Sequence, residues 1–203
     1  QVKDNTEALQ GARDIMAEWI AENEQARNTI RHLFTERAVL TSRVLNSKKD
    51  DENAQKYKDY FDFSESLASS PSHRIMAIRR GEKEGFLIME ISIEKETAIN
   101  ALKEIFVQSS SASSQQVLIA IEDSYNRLLK SSIENEFRML SKTKADEEAI
   151  HVFAENLRQL LLASPLGPKR ILAIDPGYRT GCKVVCLDEQ GTFLHYVTIF
   201  PHS

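Results

Sequence analysis

Residues 164–170 read SPLGPKR, and two prolines with a glycine inside seven residues leave no room for a continuous helix or strand. The chain is divided there. Before this segment apolar residues recur mainly at helical spacing. After it RILAID, CKVVCLD and FLHYVTIF are three apolar, β-branched runs of strand length, the last two joined by DEQG. The pattern predicts a helical region over 1–166 and the first three strands of a sheet over 167–203.

Within the helical region, Leu9, Ala12, Met16, Trp19 and Ile20 repeat at helical spacing from Thr6 to about Ile20. Ile30, Leu33, Arg37, Leu40 and Val44 step by three and four, so a second long helix is predicted through TERAVLTSRVL, despite the strand propensity of its Val and Thr. The charged SKKDDENAQKYKDYFDFSES is expected to be an exposed loop followed by a segment pinned by Tyr57, Tyr60, Phe61 and Phe63. Ser70 as a cap and Pro71 at the first helical position open a short helix that ends near Gly81 and Gly85. FLIMEISI supplies one short strand near 86–93, and Ala98, Leu102 and Ile105 return to helical spacing.

Beyond the serine-rich connector at 109–114, one helix runs from Val117 to Leu129. A second starts at a Ser131–Glu134 capping box and ends near Ser141, and a third is opened by Asp146, Glu147 and Glu148. Trp19, Phe34, Phe137 and Phe153 are expected in the core. The fold class is mainly α, with one short strand or hairpin in the helical region.

With 203 residues, 41% of them apolar, the chain can fill a real core, and a net charge of −4 excludes a uniformly basic surface. Nucleic-acid contact would have to come from a local patch. No stretch reaches the roughly 18 apolar residues of a membrane span and the polar start has no signal-peptide core, so a cytoplasmic protein is expected. The absence of an initial Met and an end just after a strand pattern suggest a piece of a larger protein. Cys182 and Cys186 share a strand face about 13 Å apart at ~3.3 Å per residue, too far for a disulfide, and are expected to be buried thiols. No metal site and no cofactor are implied.

IDPGYRTG carries the chemistry worth weighing. Asp175 at a strand end is a rigid position for a metal-bound carboxylate in a nuclease. The same strand, acid and glycine turn suits a nucleotide phosphate, although Pro176 removes one N–H donor. The third alternative is that Asp175 caps the turn and Gly177 supplies a positive φ. Arg179 in this turn could meet a phosphate or pair with an acid, while Asp188 beside DEQG suits hairpin capping. His73, Arg74, Arg79, Arg80 and Lys83 form a second candidate, five cationic or potentially cationic groups within eleven residues that could neutralise phosphates. Glu82 and Glu84 sit among them, which makes a solvated helix with internal ion pairs, or a domain-packing surface, an equal reading. Arg127, Lys130 and Arg138 read as solvated surface, and His151, His195 and His202 lack partners at metal-ligand spacing.

IDPGYRTGCKVVCLDEQGTFLHYVTIFPH resembles the opening of a YqgF domain, the ribonuclease-H-like α/β module related to Holliday-junction resolvases, in the form found in the Tex family of bacterial transcription accessory proteins. YKDYFDFSES, PSHRIMAIRRGEKEGFL, DSYNRLLKSSIENEFRMLSKTKADEEAI and VFAENLRQLLLASPLGPKRILAIDPG resemble the same family in the same order, from about Arg31 to Ser203. The resemblance implies a factor that binds RNA or DNA and acts with the transcription machinery. Its main contacts are expected in later helix-hairpin-helix and OB-fold modules, with this part serving as a scaffold. It also implies that Asp175 matches the first acid of the ribonuclease-H-like site, an inherited position in a branch that has lost part of the catalytic set. No enzymatic activity is therefore expected of this chain, and the alternative is a metal-dependent nuclease or resolvase using Asp175.

Overall fold

The computed structural model describes residues 4–177 and 180–201, which form two compact units, one ending at Phe153 and one beginning at Ala154. In the first, α1 (Asn5–Glu22) starts where the Asp4 side chain accepts the Glu7 N–H at 2.8 Å. Asn23 then serves two helices at once. Its N–H donates to the Ile20 carbonyl to close α1, and its side chain accepts the Ala26 N–H at 2.9 Å to open α2 (Glu24–Arg37).

The predicted second helix is too long. It stops at Arg37, and Val39–Val44 is a strand, β1, with Leu40 and Ser42 turned into the core. Positions 40 and 44 satisfy a period of two as well as helical steps, so the apolar pattern could not separate the two states. Tertiary pairing decides between them. β1 is the central strand of a sheet ordered β2-β1-β3, antiparallel to β2 (Asp62–Ser66) and to β3 (Leu87–Ser92). The expected single strand is thus one of three, and the aromatic segment before β2 is a 3₁₀ turn, Gln55–Tyr60, pinned as expected by the buried Tyr57.

Helix α3 (Ser72–Lys83) lies between β2 and β3 in sequence, with Pro71 as its cap residue instead of Ser70. After β3 come α4 (Lys95–Phe106) and α5 (Ala112–Asp123), the latter capped by the Ser111 side chain. A π-helical turn, Ser124–Leu129, leads directly into α6 (Lys130–Leu161), a single helix of 32 residues where two were expected. Residues 112–161 contain no glycine or proline to interrupt it. The capping box does not form. Ser131 Oγ donates to the Leu128 carbonyl, and Glu134 is turned toward β3.

The core joins both layers. Phe34 of α2 meets Phe137 of α6 with ring centroids 5.2 Å apart, and Leu40, Ile78, Ile91, Leu102 and Ile121 are fully buried around them. Trp19 and Phe153 are not core residues, being 69% and 68% exposed. On α1 the buried face is Ala17, Ile20 and Ala21, and Trp19 falls on the far side of the same helix.

The second unit contains the three expected strands, β4 (Ile171–Asp175), β5 (Cys182–Leu187) and β6 (Phe193–Ile199), in an antiparallel sheet ordered β4-β5-β6. Cys182 and Cys186 are free thiols, half-buried rather than buried. The turn between β5 and β6 is organised by Asp188, whose carboxylate accepts the N–H groups of Thr192 at 2.7 Å and Gln190 at 2.9 Å, with Gly191 at φ 80°.

The Thr192 and Gln190 N–H donors hold the Asp188 carboxyl below the usual carboxylate range. A lowered folded pKa means that the turn's contribution is present above the unfolded value of about 3.9 and is lost as pH falls through the folded one. The Thr192 and Gln190 amide resonances are therefore expected to titrate with a midpoint below the ordinary carboxylate value. Titration of those amides at the ordinary carboxylate value would show that the turn is not held this way.

Candidate nucleic-acid interface

Helix α3 buries Ile75, Ile78 and Gly81. A Cβ at Gly81 would stand 2.6 Å from Leu87 Cδ1 and 3.3 Å from Tyr57 Cδ1, so this position brings the helix backbone close to β3 and to the 3₁₀ turn. The opposite face carries His73, Met76, Arg80 and Lys83, all exposed and spaced by three, four and three residues. The sequence cluster of five basic residues thereby splits. Arg74 turns to the sheet, where its Nη1 meets Glu65 Oε1 of β2 at 2.7 Å, and Arg79 Nη1 donates to the Arg138 carbonyl of α6 at 3.1 Å.

Gly85, at φ 76°, ends α3. Its N–H donates to the Glu82 carbonyl at 3.0 Å, and the Phe86 N–H reaches back to the Gly81 carbonyl at 2.9 Å. This pair of bonds is a Schellman closure, and it fixes the path of the chain into β3.

Glu82 and Glu84, the two acids inside the cluster, are each committed to a cation from elsewhere. Glu82 Oε2 accepts Arg138 Nη2 at 2.5 Å while its Oε1 accepts the Met89 N–H at 3.3 Å. Glu84 Oε2 lies 2.6 Å from Lys56 Nζ. The Lys56 ammonium holds the Glu84 carboxyl below its ordinary range, and Glu84 in turn raises the Lys56 ammonium. Among the described residues, Arg79, Arg80 and Lys83 have no carboxylate within ion-pair distance. They line an open depression with Glu82, Glu84 and Lys142, whose ammonium pairs with Asp146.

Arg138 is not solvated surface. Its side chain is 21% exposed, and besides Glu82 it donates to the Met89 carbonyl at 2.6 Å and lies 3.9 Å from Glu134. Sequence inspection missed this role because the partners are 49 and 56 residues away. Arg127 does sit on the surface, paired with Asp123 one turn earlier, and Lys130 Nζ meets Glu90 of β3 at 2.9 Å.

Asp175 closes β4 opposite Lys183 and is exposed. Arg179 and His202 lie outside the described residues. The positive φ expected at Gly177 is found at Gly181 instead, at 75°. Gly177 is needed for a different reason, since a Cβ there would stand 2.7 Å from the Gly181 carbonyl oxygen. Among the described residues no three acidic, histidine or cysteine side chains converge as a metal centre requires.

The model of the Tex central region matches residues 1–153, and that of the Tex protein YqgF-like domain matches residues 169–203. The chain belongs to the Tex family. An uncharacterised Bacillus subtilis protein, YdcI, is 39% identical over 97% of the chain, and the transcriptional accessory protein Tex of Neisseria gonorrhoeae is 32% identical over all of it. The human S1 RNA-binding domain-containing protein 1 is 29% identical over 95%. The chain spans 27% of the length of the two bacterial relatives and 20% of the human one. Both Tex modules lie in the order that the sequence motifs implied, and among the described residues no helix is long and apolar enough to cross a membrane.

Removing Arg138 would strand a half-buried carboxylate and a backbone carbonyl together. Arg138→Ala is expected to cost about 2–3 kcal/mol, or about 5–10 °C in thermal midpoint, while Arg127→Ala leaves the midpoint nearly unchanged. Equal effects of the two substitutions in thermal unfolding would refute the assignment.

Proposed function

We propose that this chain is the scaffold of a Tex-type transcription accessory factor and contacts RNA backbone through the outer face of α3. The supporting observation is the disposition of the two acids. Glu82 and Glu84, which dilute the basic cluster when read along the sequence, are neutralised by Arg138 and Lys56, so Arg79, Arg80 and Lys83 form a locally positive surface on a chain of net charge −4. Such a surface meets phosphates without reading bases.

The human relative's name speaks of RNA binding and that of the Neisseria relative of a transcriptional accessory role. Both fit a factor that works in the cytoplasm beside the transcription machinery, with its stronger nucleic-acid contacts made by modules outside the matched quarter. On this reading the chain does not cleave what it binds. Asp188, the next acid after Asp175, is already occupied with the turn between β5 and β6.

The test is binding of labelled single-stranded RNA across a salt series with magnesium present, the probe's length being checked afterwards. Affinity is expected to fall linearly on a log–log plot, and Arg80→Ala/Lys83→Ala is expected to reduce the slope by about 1.4, two single-strand phosphate contacts at ~0.7 each. Arg74→Ala should lower stability and leave the slope alone. A slope unmoved by the double substitution would overturn the assignment, and magnesium-dependent shortening of the probe would favour cleavage at Asp175.

A further inference from the structure

We infer that the outward face of α1 is a docking surface for a basic amphipathic helix of a partner protein. The inference stands apart from the α3 contact, since it rests on a different helix and on the opposite charge.

The core takes Ala17, Ile20 and Ala21 of α1. On the far side Ala8, Ala12, Ile15 and Trp19 form an exposed row with steps of four, three and four, the spacing by which one helix seats against another. Ile15 and Trp19 are 52% and 69% exposed, so the two large side chains of the row stand mostly in solvent. Single apolar residues scattered over a surface are ordinary, whereas four at this spacing make a continuous seam. A Cβ at Gly11 would meet nothing within 4 Å, so the backbone beside the seam is open to close approach.

A second exposed row, Glu7, Gly11, Asp14 and Glu18, runs alongside, each member one residue earlier. Residues 4–22 carry five acids and one base, Arg13, whose guanidinium donates to Gln116 of α5 at 2.8 Å. Arg127 lies within electrostatic reach of Asp14 and Glu18 but is paired with Asp123 at 2.7 Å. Among the described residues, Asp14, Glu18 and Glu22 have no cation within ion-pair distance. Glu18 and Glu22 also stand at the C-terminal end of α1, where the helix dipole disfavours negative charge and the last turn holds no basic residue. These acids destabilise the free helix, and a cation docked alongside relieves them.

Charge decides between occupants. A second copy would set acids against acids across the seam, and an anionic membrane would set phosphates against them. A helix with apolar residues at heptad spacing and Lys or Arg along one flank satisfies both rows, with Trp19 as the aromatic anchor.

Trp19 is the one tryptophan of the chain, so its emission reports on the seam directly. The experiment titrates the 203-residue chain with two designed helical peptides of about three heptads, Leu at the seam positions and either Lys or Glu on the flanks. The Lys peptide is expected to shift Trp19 emission to the blue and to bind about tenfold or more tighter than the Glu peptide. With a labelled Lys peptide, Trp19→Ala is expected to weaken binding about tenfold or more, and Asp14→Lys/Glu18→Lys to reverse the preference toward the Glu peptide. Met139→Ala/Leu140→Ala removes an exposed apolar pair on α6 and is expected to leave binding unchanged. All these positions are exposed, so helicity and thermal midpoint are expected to stay near wild type. Equal affinity for the two peptides, or no loss in Trp19→Ala, overturns the inference. So does a blue shift that grows with protein concentration alone, which makes a second copy the occupant, or one produced by phosphatidylglycerol vesicles and not by the Lys peptide.

Discussion

The outer edge of β3 is one of the two edges of the β2-β1-β3 sheet, and it is closed by side chains from two helices. The Met89 and Ile91 N–H groups point away from β1. They meet Glu82 of α3 at 3.3 Å and Glu134 of α6 at 3.5 Å, while Arg138 of α6 donates to the Met89 carbonyl between them. An unpaired strand edge invites wrong pairing, and here carboxylates and a guanidinium stand in for a fourth strand. Arg138 and Glu82 have side chains only 21% and 30% exposed, so this pair is screened less than the exposed Arg127–Asp123 pair.

That structural bond sets the electrostatics of the surface. Glu82 is held by Arg138 and Glu84 by Lys56, which leaves Arg80 and Lys83 outward on α3 without a carboxylate partner among the described residues. The same helix thus has three assignments by face. Ile75, Ile78 and Gly81 pack inward, Arg74 and Arg79 tie it to β2 and α6, and His73, Arg80 and Lys83 face solvent. A basic cluster on an acidic chain is therefore produced by internal pairing of its acids, and charge counting along the sequence could not show it.

Much of the fold was legible where one local signal had no competitor. The two-proline segment marked the passage from the last helix to the strands β4 to β6, the apolar and β-branched content of FLIMEISI marked β3, and Asp188 with Gly191 marked the hairpin turn. The failures share a cause. Leu40 and Val44 fit helix and strand periods alike, and only pairing with β2 and β3 selects the strand. The Ser131–Glu134 pattern is a start signal that an uninterrupted run of helix formers overrode, leaving Glu134 free to reach β3. Trp19 matched an apolar stripe but lies on the face of α1 that the core does not reach. In the candidate interface the basic residues were visible in sequence. Their division into Arg74 and Arg79 as ties and Arg80 and Lys83 as contacts depends on partners far along the chain.

Amide hydrogen exchange at β3 in wild type and in Glu82→Ala tests the edge closure most directly. The expected result is a loss of protection at the Met89 amide, which faces Glu82, with the Ile88 and Glu90 amides that face β1 retaining theirs. Unchanged protection at Met89, or an equal loss at all three amides, would contradict the claim that Glu82 and its partner Arg138 close this edge.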